Sequence, residues 1–375
     1  MRVIGVVAEY NPFHYGHLYQ IKKIKEMYND SIIVAIVSTN YTQRGGFSLI
    51  NKWDKTKICL TYGIDIVVEL PTLYTTQGAD MFAYGAISIL NMLHIDTLVF
   101  GMECENVDYL INAAKAQIDN PEYDSLVKKY LLMGVNYPTA LGNALKDTIG
   151  YMTDKPNDLL AISYIKEILI NNYNISVVGI KRTNDYHGKE IDSSIVNASL
   201  IRDMVYKDID VSKYVPCETY KCIERKNFDN GYLLLKYSIN NNVDRLSEYL
   251  TVDEGIENRI LKCYKKCNTW DELVDTIKTK RYTYNKVNRM LMHILLNIKK
   301  ADNTLDVYLR ILGFNDAGRK YLRQIKKDIN VIDTCKYGIN RTLDIEINAT
   351  YIYSLITNDN YLMEREYKNK PIIFH

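Results

Sequence analysis

Two histidines three positions apart are the residues of this chain whose types and spacing most clearly suggest chemistry. His14 and His17 lie in the stretch NPFHYGHL (11–18), between the apolar run VIGVVA (3–8) and an amphipathic segment. Such a loop leads into a helix N-terminus, where unpaired backbone N–H groups and the helix dipole favour anions. Gly16 lets the backbone pass close to a ligand. Two imidazoles there could donate hydrogen bonds to phosphate oxygens, most usefully when charge builds up on a phosphorus under attack.

The elements around this motif alternate between buried strands and helices. We expect strands at 3–8, 32–37, 65–70, 96–101 and 176–180, separated by helices at 16–28, 51–62, 78–94, 107–133 and 157–171. Continuous apolar strands separated by helices indicate a parallel sheet covered on both faces. This pattern predicts a doubly wound, Rossmann-like α/β domain, in which ligands bind beyond the carboxyl ends of the strands.

The pattern changes after residue 206, and we place a domain boundary between residues 210 and 211. The interval 1–210 is predicted to be the nucleotide-binding catalytic domain, and 211–375 a mostly α-helical domain. The window 256–330 carries 17 Lys/Arg against 8 Asp/Glu, whereas the whole chain has a net charge of only +2. This excess of positive charge points to an anionic partner for the second domain.

Within that window, the segment KTKRYTYNKVNR (278–289) interleaves cations with tyrosines. At helical spacing Arg281, Asn285, Asn288 and Arg289 would share one face. Cations with aromatics suit an RNA loop, whose phosphates need charge and whose unstacked bases need a π surface. A solvated basic helix is the alternative. The candidate RNA-binding residues are Lys278, Lys280, Arg281, Lys286 and Arg289.

Composition limits the class of protein further. The chain has 375 residues, 47% of them apolar, which is enough for a substantial core. No apolar run reaches the roughly 18 residues of a membrane span, so we expect no membrane contact. The seven cysteines are scattered without a CxxC pair, which predicts free thiols in a reducing cytoplasm. No group of His, Cys, Asp or Glu has metal-ligand spacing.

These motifs resemble known proteins. HxGH after the first strand of a Rossmann-like domain resembles the nucleotidylyltransferase and class I tRNA-synthetase superfamily, in which it holds ATP for attack on the α-phosphate. A closer resemblance, to the bacterial tRNA(Met) cytidine acetate ligase family, runs over nearly the whole chain. It is carried by GVVAEYNPFHYGHLYQI (5–21), QRG (43–45), VVELP (67–71), QGADMFAYGAISILN (77–91), FGMEC (100–104), KPNDLLAISYIKEIL (155–169), RTNDYH (182–187) and KTKRYTYNKVNRMLMHILL (278–296).

The resemblance implies a function and a set of site residues. It implies a ligase that activates acetate with ATP and transfers the acetyl group to the wobble cytidine of elongator tRNA(Met), with Mg²⁺ arriving on ATP. The catalytic residues would be His14 and His17. The ATP-binding residues would be Val7, Ala8, Glu9, Tyr10, Asn11, Pro12, Phe13, His14, Tyr15, Gly16, His17, Leu18, Tyr19, Gln20, Gly101, Asn157, Arg182, Ser199 and Arg202.

Two alternatives stay open from the residues alone. The chain could be a nucleotidyltransferase that adenylates a small phosphate-bearing metabolite, as HxGH by itself would allow. More distantly, it could be an RNA-binding protein without catalysis. The roles of Gln43, Arg44, Glu69 and His187 are open, as are the residues that bind acetate and cytidine. We expect His293 to be structural.

Overall fold

The computed structural model describes residues 1–182, 196–223, 228–332, 335–368 and 370–375. These residues form one sheet of seven strands. The strands are β1 (Arg2–Ala8), β2 (Ser31–Ser38), β3 (Ile66–Leu70), β4 (Thr97–Met102), β5 (Ser176–Lys181), β6 (Ile311–Asn315) and β7 (Ile372–Phe374). Their order across the sheet is β5-β4-β1-β2-β3-β6-β7.

The five predicted strands are confirmed, each to within a residue or two of its expected bounds. They pair in parallel throughout, with β1 between β2 and β4. The chain runs outward from β1 through β2 to β3 and then returns to the other side of β1 as β4. This reversal creates a crevice at the carboxyl ends of β1 and β4, which is where such folds bind ligands.

The described residues also form seventeen α-helices, and none of them is long and apolar enough to cross a membrane. The stretch predicted as one helix over 107–133 is two, because Asn120 and Pro121 end the first helix and cap the second. The helices are α1 (Tyr15–Met27), α2 (Lys52–Thr61), α3 (Thr72–Thr75), α4 (Ala79–Met92), α5 (Val107–Asp119), α6 (Pro121–Leu132), α7 (Tyr137–Ile149), α8 (Pro156–Ile170), α9 (Ala198–Tyr206), α10 (Cys217–Cys222), α11 (Asp229–Asn241), α12 (Ile256–Cys263), α13 (Trp270–Ile277), α14 (Tyr284–Leu295), α15 (Asp316–Ile325), α16 (Arg341–Thr357) and α17 (Leu362–Lys368).

The sheet is mixed rather than wholly parallel, because two short C-terminal strands that the sequence did not predict extend it. Strand β6 pairs antiparallel with β3, and β7 pairs parallel with β6. Both strands come from beyond residue 210, so the sheet crosses the predicted boundary. The Rossmann-like core is as expected, and the division of the chain into two functional domains stays a prediction.

A buried ionic network joins the sheet to the C-terminal helices. Lys52 Nζ lies 2.7 Å from Glu69, 3.0 Å from Glu346 and 2.7 Å from Glu366, and all four side chains are fully buried. Arg310 adds contacts of 3.1 Å to Glu69 and 2.6 Å to Glu366. A buried ion has lost its hydration, so each member depends on its partners. Glu69 is therefore assigned a structural role.

Candidate active site

The two histidines form a reciprocal cap at the start of α1. His14 is the N-cap residue, and its Nδ1 accepts a hydrogen bond from the backbone N–H of Gly16 at 3.0 Å. The backbone N–H of His14 in turn donates to Nδ1 of His17 at 3.2 Å. The two ring centroids are 3.8 Å apart. The motif therefore begins α1 and packs its two rings together.

This geometry fixes the tautomer of both rings. A backbone N–H can only donate, so each Nδ1 must be unprotonated and each Nε2 carries the hydrogen. Burial, reinforced by the charges of Arg182 and Arg202, lowers the pKa of His14 to about 3. Burial also holds the pKa of His17 well below its usual range, with further lowering from His14 and Arg182. Both imidazoles are thus neutral donors through Nε2–H.

The rest of the predicted segment 7–20 is held in place from several sides. It runs from the end of β1 through a loop into α1. Phe13 is fully buried, and Tyr10 packs edge-on against His17 with ring centroids 4.7 Å apart. The side chain of Asn11 accepts from the backbone N–H of Leu49 at 2.8 Å. The loop is therefore tied to the chain that follows β2.

The two residues predicted from SLIR (199–202) reach the histidine loop from α9. Arg202 Nη1 donates to the backbone oxygen of Asn11 at 2.8 Å, and its Nη2 donates to Ser199 Oγ at 3.2 Å. Burial lowers the pKa of Arg202, which is opposed by the charge of Glu9. Ser199 thus orients the guanidinium and lies at the first turn of α9.

Gly101 and Arg182 lie together at the β4 and β5 side of the crevice. A Cβ built on Gly101 would be 3.7 Å from Cγ of Arg182. The backbone N–H of Arg182 donates to Met102 at 3.0 Å, and its side chain is exposed. Its charge reaches both histidines. His187, whose role was open, lies outside the described residues.

Asn157 lies at the start of α8 and is paired with a residue that the sequence did not single out. Its side-chain amide donates to Glu103 Oε1 at 2.6 Å, and its backbone N–H donates to Oε2 at 3.2 Å. Asp158, also missed, accepts from the backbone N–H groups of Glu103 at 2.8 Å and Cys104 at 3.3 Å. An Asp in the first turn of a helix that begins with Pro marks the helix start, but the contact of Asp158 with the chain after β4 is not encoded locally.

The candidate RNA-binding residues do not share one helical face, because α14 begins only at Tyr284. Lys278, Lys280 and Arg281 lie in the connection before it and are exposed. Lys278 is 3.5 Å from Asp275, and Arg281 is 2.5 Å from Glu254. The expected arrangement of Arg281 on a helix is therefore wrong, although the cations remain clustered.

The other two candidates sit on α14 in different surroundings. Lys286 lies over the ring of Tyr282, 4.7 Å from its centroid. Arg289 instead turns inward, where its Nη1 donates to the backbone oxygen of Gln43 at 3.3 Å and burial lowers its pKa to about 10. One turn later, His293 is fully buried and bonds the backbone oxygen of Thr76 at 2.9 Å. The structural role expected for His293 is confirmed, and Arg289, a candidate RNA-binding residue, contacts the chain that follows β2 instead of solvent.

Known proteins are similar to this chain over nearly its whole length. The family described as HIGH Nucleotidyl Transferase matches residues 1–369. A tRNA(Met) cytidine acetate ligase of Clostridium perfringens is 37% identical and one of Clostridium kluyveri is 35% identical, each aligned over 100% of this chain and over 100% and 99% of its own length.

Solved structures are similar over the same extent. The structure of Thermotoga maritima TmcAL bound with alpha-thio ATP is 26% identical, covers 100% of both chains and has a TM-score of 0.86. The apo form of that protein gives a TM-score of 0.88. The chain therefore belongs to the HIGH nucleotidyl transferase family and, within it, to the family of tRNA(Met) cytidine acetate ligases.

Proposed function

We propose that the protein activates acetate with ATP and transfers the acetyl group to the exocyclic amine of the wobble cytidine of elongator tRNA(Met). The observation that supports this most strongly is the pair of neutral, reciprocally capped histidines at the start of α1 in a chain similar to such ligases from end to end. The pair alone would suit any adenylating enzyme. The full-length similarity selects acetate and tRNA(Met) as the substrates.

The first step forms acetyl-adenylate. A carboxylate oxygen of acetate attacks the α-phosphorus, the bond from that phosphorus to the bridging oxygen breaks, and diphosphate leaves with the electron pair. The Nε2–H groups of His14 and His17 would donate to the phosphate oxygens on which charge increases. Fixed donors of this kind are typically worth about 3–4 kcal/mol in the transition state.

The second step transfers the acetyl group. The cytidine amine attacks the acetyl carbon, AMP leaves and the amine loses one proton. An amine on an aromatic ring is a weak nucleophile, which is why an activated acyl donor is needed. No covalent enzyme intermediate is required, so the scheme needs no serine or cysteine nucleophile.

ATP would lie across the crevice between β1 and β4. Gly101, Asn157 and Arg182 would hold it from the β4 side, while Ser199 and Arg202 approach from α9. The described residues contain no group of three or more His, Cys, Asp or Glu suited to a metal. A Mg²⁺ ion that arrives with ATP would be held mainly by the phosphates and water.

The tRNA would be bound outside this crevice by the cations around 278–286. An anticodon base must leave its stack to reach a pocket, so contacts well away from the pocket are needed. Lys278, Lys280 and Arg281 are exposed and Lys286 is stacked on an aromatic ring. A tRNA substrate also implies that the protein works in the cytoplasm.

The proposal is tested by product analysis. Purified protein, ATP, isotopically labelled acetate and an unmodified elongator tRNA(Met) transcript should give labelled N4-acetylcytidine at the wobble position, with one AMP and one diphosphate per acetyl group. A transcript with uridine at that position is the matched control and should stay unlabelled. ATP turnover with no acetylated nucleoside would refute the transfer step.

A further inference from the structure

A tight turn after β2 displays an arginine that the scheme above does not use. The turn spans 42–46, closed by hydrogen bonds from Thr42 N to Gly46 O at 3.0 Å and from Gly45 N to Thr42 O at 2.9 Å. Gly45 has φ +78, and a Cβ on it would lie 2.6 Å from the backbone N of Arg289. The turn is thus packed against α14, and Arg44 at its tip is exposed.

Three further hydrogen bonds on Gln43 fix the turn relative to the active site. Glu9, which follows β1, accepts from the backbone N–H of Gln43 at 2.6 Å. The Gln43 side chain donates to Gln77 O at 3.0 Å, and its backbone oxygen accepts from Arg289 at 3.3 Å. The position of Arg44 is therefore set from β1, from the loop before α4 and from α14.

Arg44 lies close to the phosphate-binding side chains without being neutralised by them. Burial lowers the pKa of Arg202, and the charge of Arg44 lowers it further. The Arg202 guanidinium is bonded to Asn11 and Ser199. In contrast, the guanidinium of Arg44 has no hydrogen-bond or ion-pair partner in the described part of the chain. A cation without a partner beside Arg202 suits a second anion.

The sheet order indicates which anion this is. The residues proposed for the nucleotide, Gly101, Asn157 and Arg182, lie on the β4 side of β1. The turn that carries Arg44 follows β2, on the opposite side of β1. With the nucleotide on the β4 side, the attacking substrate would approach the α-phosphorus from the β2 side.

Acetate offers only one polar group, its carboxylate, so its affinity must come mainly from a cation. Arginine is well suited, because its planar fork matches a carboxylate with two parallel hydrogen bonds. The other described cations near the carboxyl ends of β2 and β3 already have hydrogen-bond or ion-pair partners. Those side chains are Lys52 and Arg310 in the carboxylate network, Lys55 bonded to Ser38 O at 2.6 Å and Thr39 O at 3.1 Å, and Arg289 bonded to Gln43 O.

We propose that Arg44 binds the carboxylate of acetate and holds it beside the α-phosphate. This inference rests on the proposed function, because it assigns a residue to one of its substrates. Arg289 and Gly45 are positioning residues, since they fix the turn without touching the substrate.

The test compares Arg44→Ala and Arg44→Lys with wild type in acetate-dependent ATP–diphosphate exchange without tRNA. Loss of a charged hydrogen-bonding partner should raise KM for acetate about 10- to 100-fold in Arg44→Ala. The KM of Arg44→Lys for acetate should lie between those of wild type and Arg44→Ala, because a lysine keeps the charge but loses the planar fork of two hydrogen-bond donors. The affinity for ATP, measured by calorimetry, should change less than about threefold. Thermal stability should be unchanged because Arg44 is exposed and unbonded.

Arg319→Ala is the matched control. Arg319 is an exposed arginine on α15. The neighbouring Gly318 packs against Asp65, which directly precedes β3. This contact is at the amino ends of the strands, whereas the site is at their carboxyl ends. This variant should leave every constant unchanged.

Several results would overturn the assignment of Arg44 while leaving the proposed function intact. These are an unchanged KM for acetate, an ATP affinity that falls as much as that for acetate, a loss confined to tRNA affinity, or a large drop in thermal stability. If wild type itself shows no acetate-dependent exchange, the proposed function fails instead.

Discussion

The donor role proposed for Nε2 of His14 and His17 depends on the hydrogen bond that each ring makes through Nδ1. Each Nδ1 accepts a backbone N–H at the start of α1. The same contacts that cap the helix therefore leave Nε2–H available as a donor. Structural and functional effects of a substitution must be separated at these two positions.

We predict that His17→Ala will lower the rate of acetate-dependent exchange by about 10²-fold or more, since it removes a fixed donor to the developing charge. His17→Glu is the matched variant. A glutamate at this third helical position can still accept the backbone N–H of the cap but has no N–H to donate, so it should recover thermal stability relative to His17→Ala without recovering the rate. Full exchange activity in His17→Glu would show that the Nε2–H donor is not needed.

The lowered pKa of His14 leads to a second prediction, about how the free energy of unfolding depends on pH. An unfolded histidine titrates near 6.5, whereas folded His14 titrates at about 3. Below pH 6.5 the unfolded chain binds a proton that the folded chain does not. The contribution of neutral His14 to the free energy of unfolding is therefore complete above pH 6.5 and is lost as pH falls towards 3.

His14→Asn should keep the cap, because asparagine is a favoured N-cap residue. It should flatten the dependence of the free energy of unfolding on pH by up to about 1.4 kcal/mol per pH unit between roughly pH 6 and 4. Urea denaturation of both proteins at a series of pH values measures this difference. Identical slopes would mean that His14 is protonated in the folded state.

At the scale of elements, the sequence predicted the parallel core well and the C-terminal strands poorly. Strands β1 to β5 are buried by helices, so each reads as a short continuous apolar run. Strands β6 and β7 have five and three residues. Strand β6 pairs with β3, almost 250 residues earlier in the chain, and β7 pairs with β6, so no local pattern encodes either contact.

The site shows the same division between local and distant information. The motif around His14 and His17 could be predicted because strand, loop and helix are contiguous. Arg289 could not be placed, because its inward turn depends on the distant contact with Gln43. The tautomer of each histidine also became clear only from atomic contacts.

The buried network is the element-scale feature most sensitive to substitution. Lys52→Met removes one of two buried cations that face three carboxylates. Breaking a buried ion pair by removing one partner typically costs about 3–5 kcal/mol. We therefore expect the free energy of unfolding in urea to fall by this amount. Lys57→Met, on the exposed face of the same helix, should change it by less than about 0.5 kcal/mol.

At the scale of the whole molecule, ATP chemistry and RNA binding should be separable, although strands from both predicted domains belong to one sheet. Changing Lys278, Lys280 and Lys286 to alanine together should spare acetate-dependent exchange and abolish acetyl transfer. Removing one lysine–phosphate interaction lowers the log–log salt slope of tRNA binding by about 0.7–0.9, so removing three should lower it by roughly 2–3. Filter binding over a salt series measures this slope, and an unchanged slope would contradict RNA binding by this surface.

ATP–diphosphate exchange by the wild-type protein, without tRNA and with acetate as the only added acid, tests most directly whether this crevice joins acetate to the α-phosphate of ATP. We predict exchange that requires acetate and follows its concentration to saturation. Exchange that proceeds equally without acetate, that requires a phosphate-bearing metabolite instead, or that does not occur at all would contradict the account.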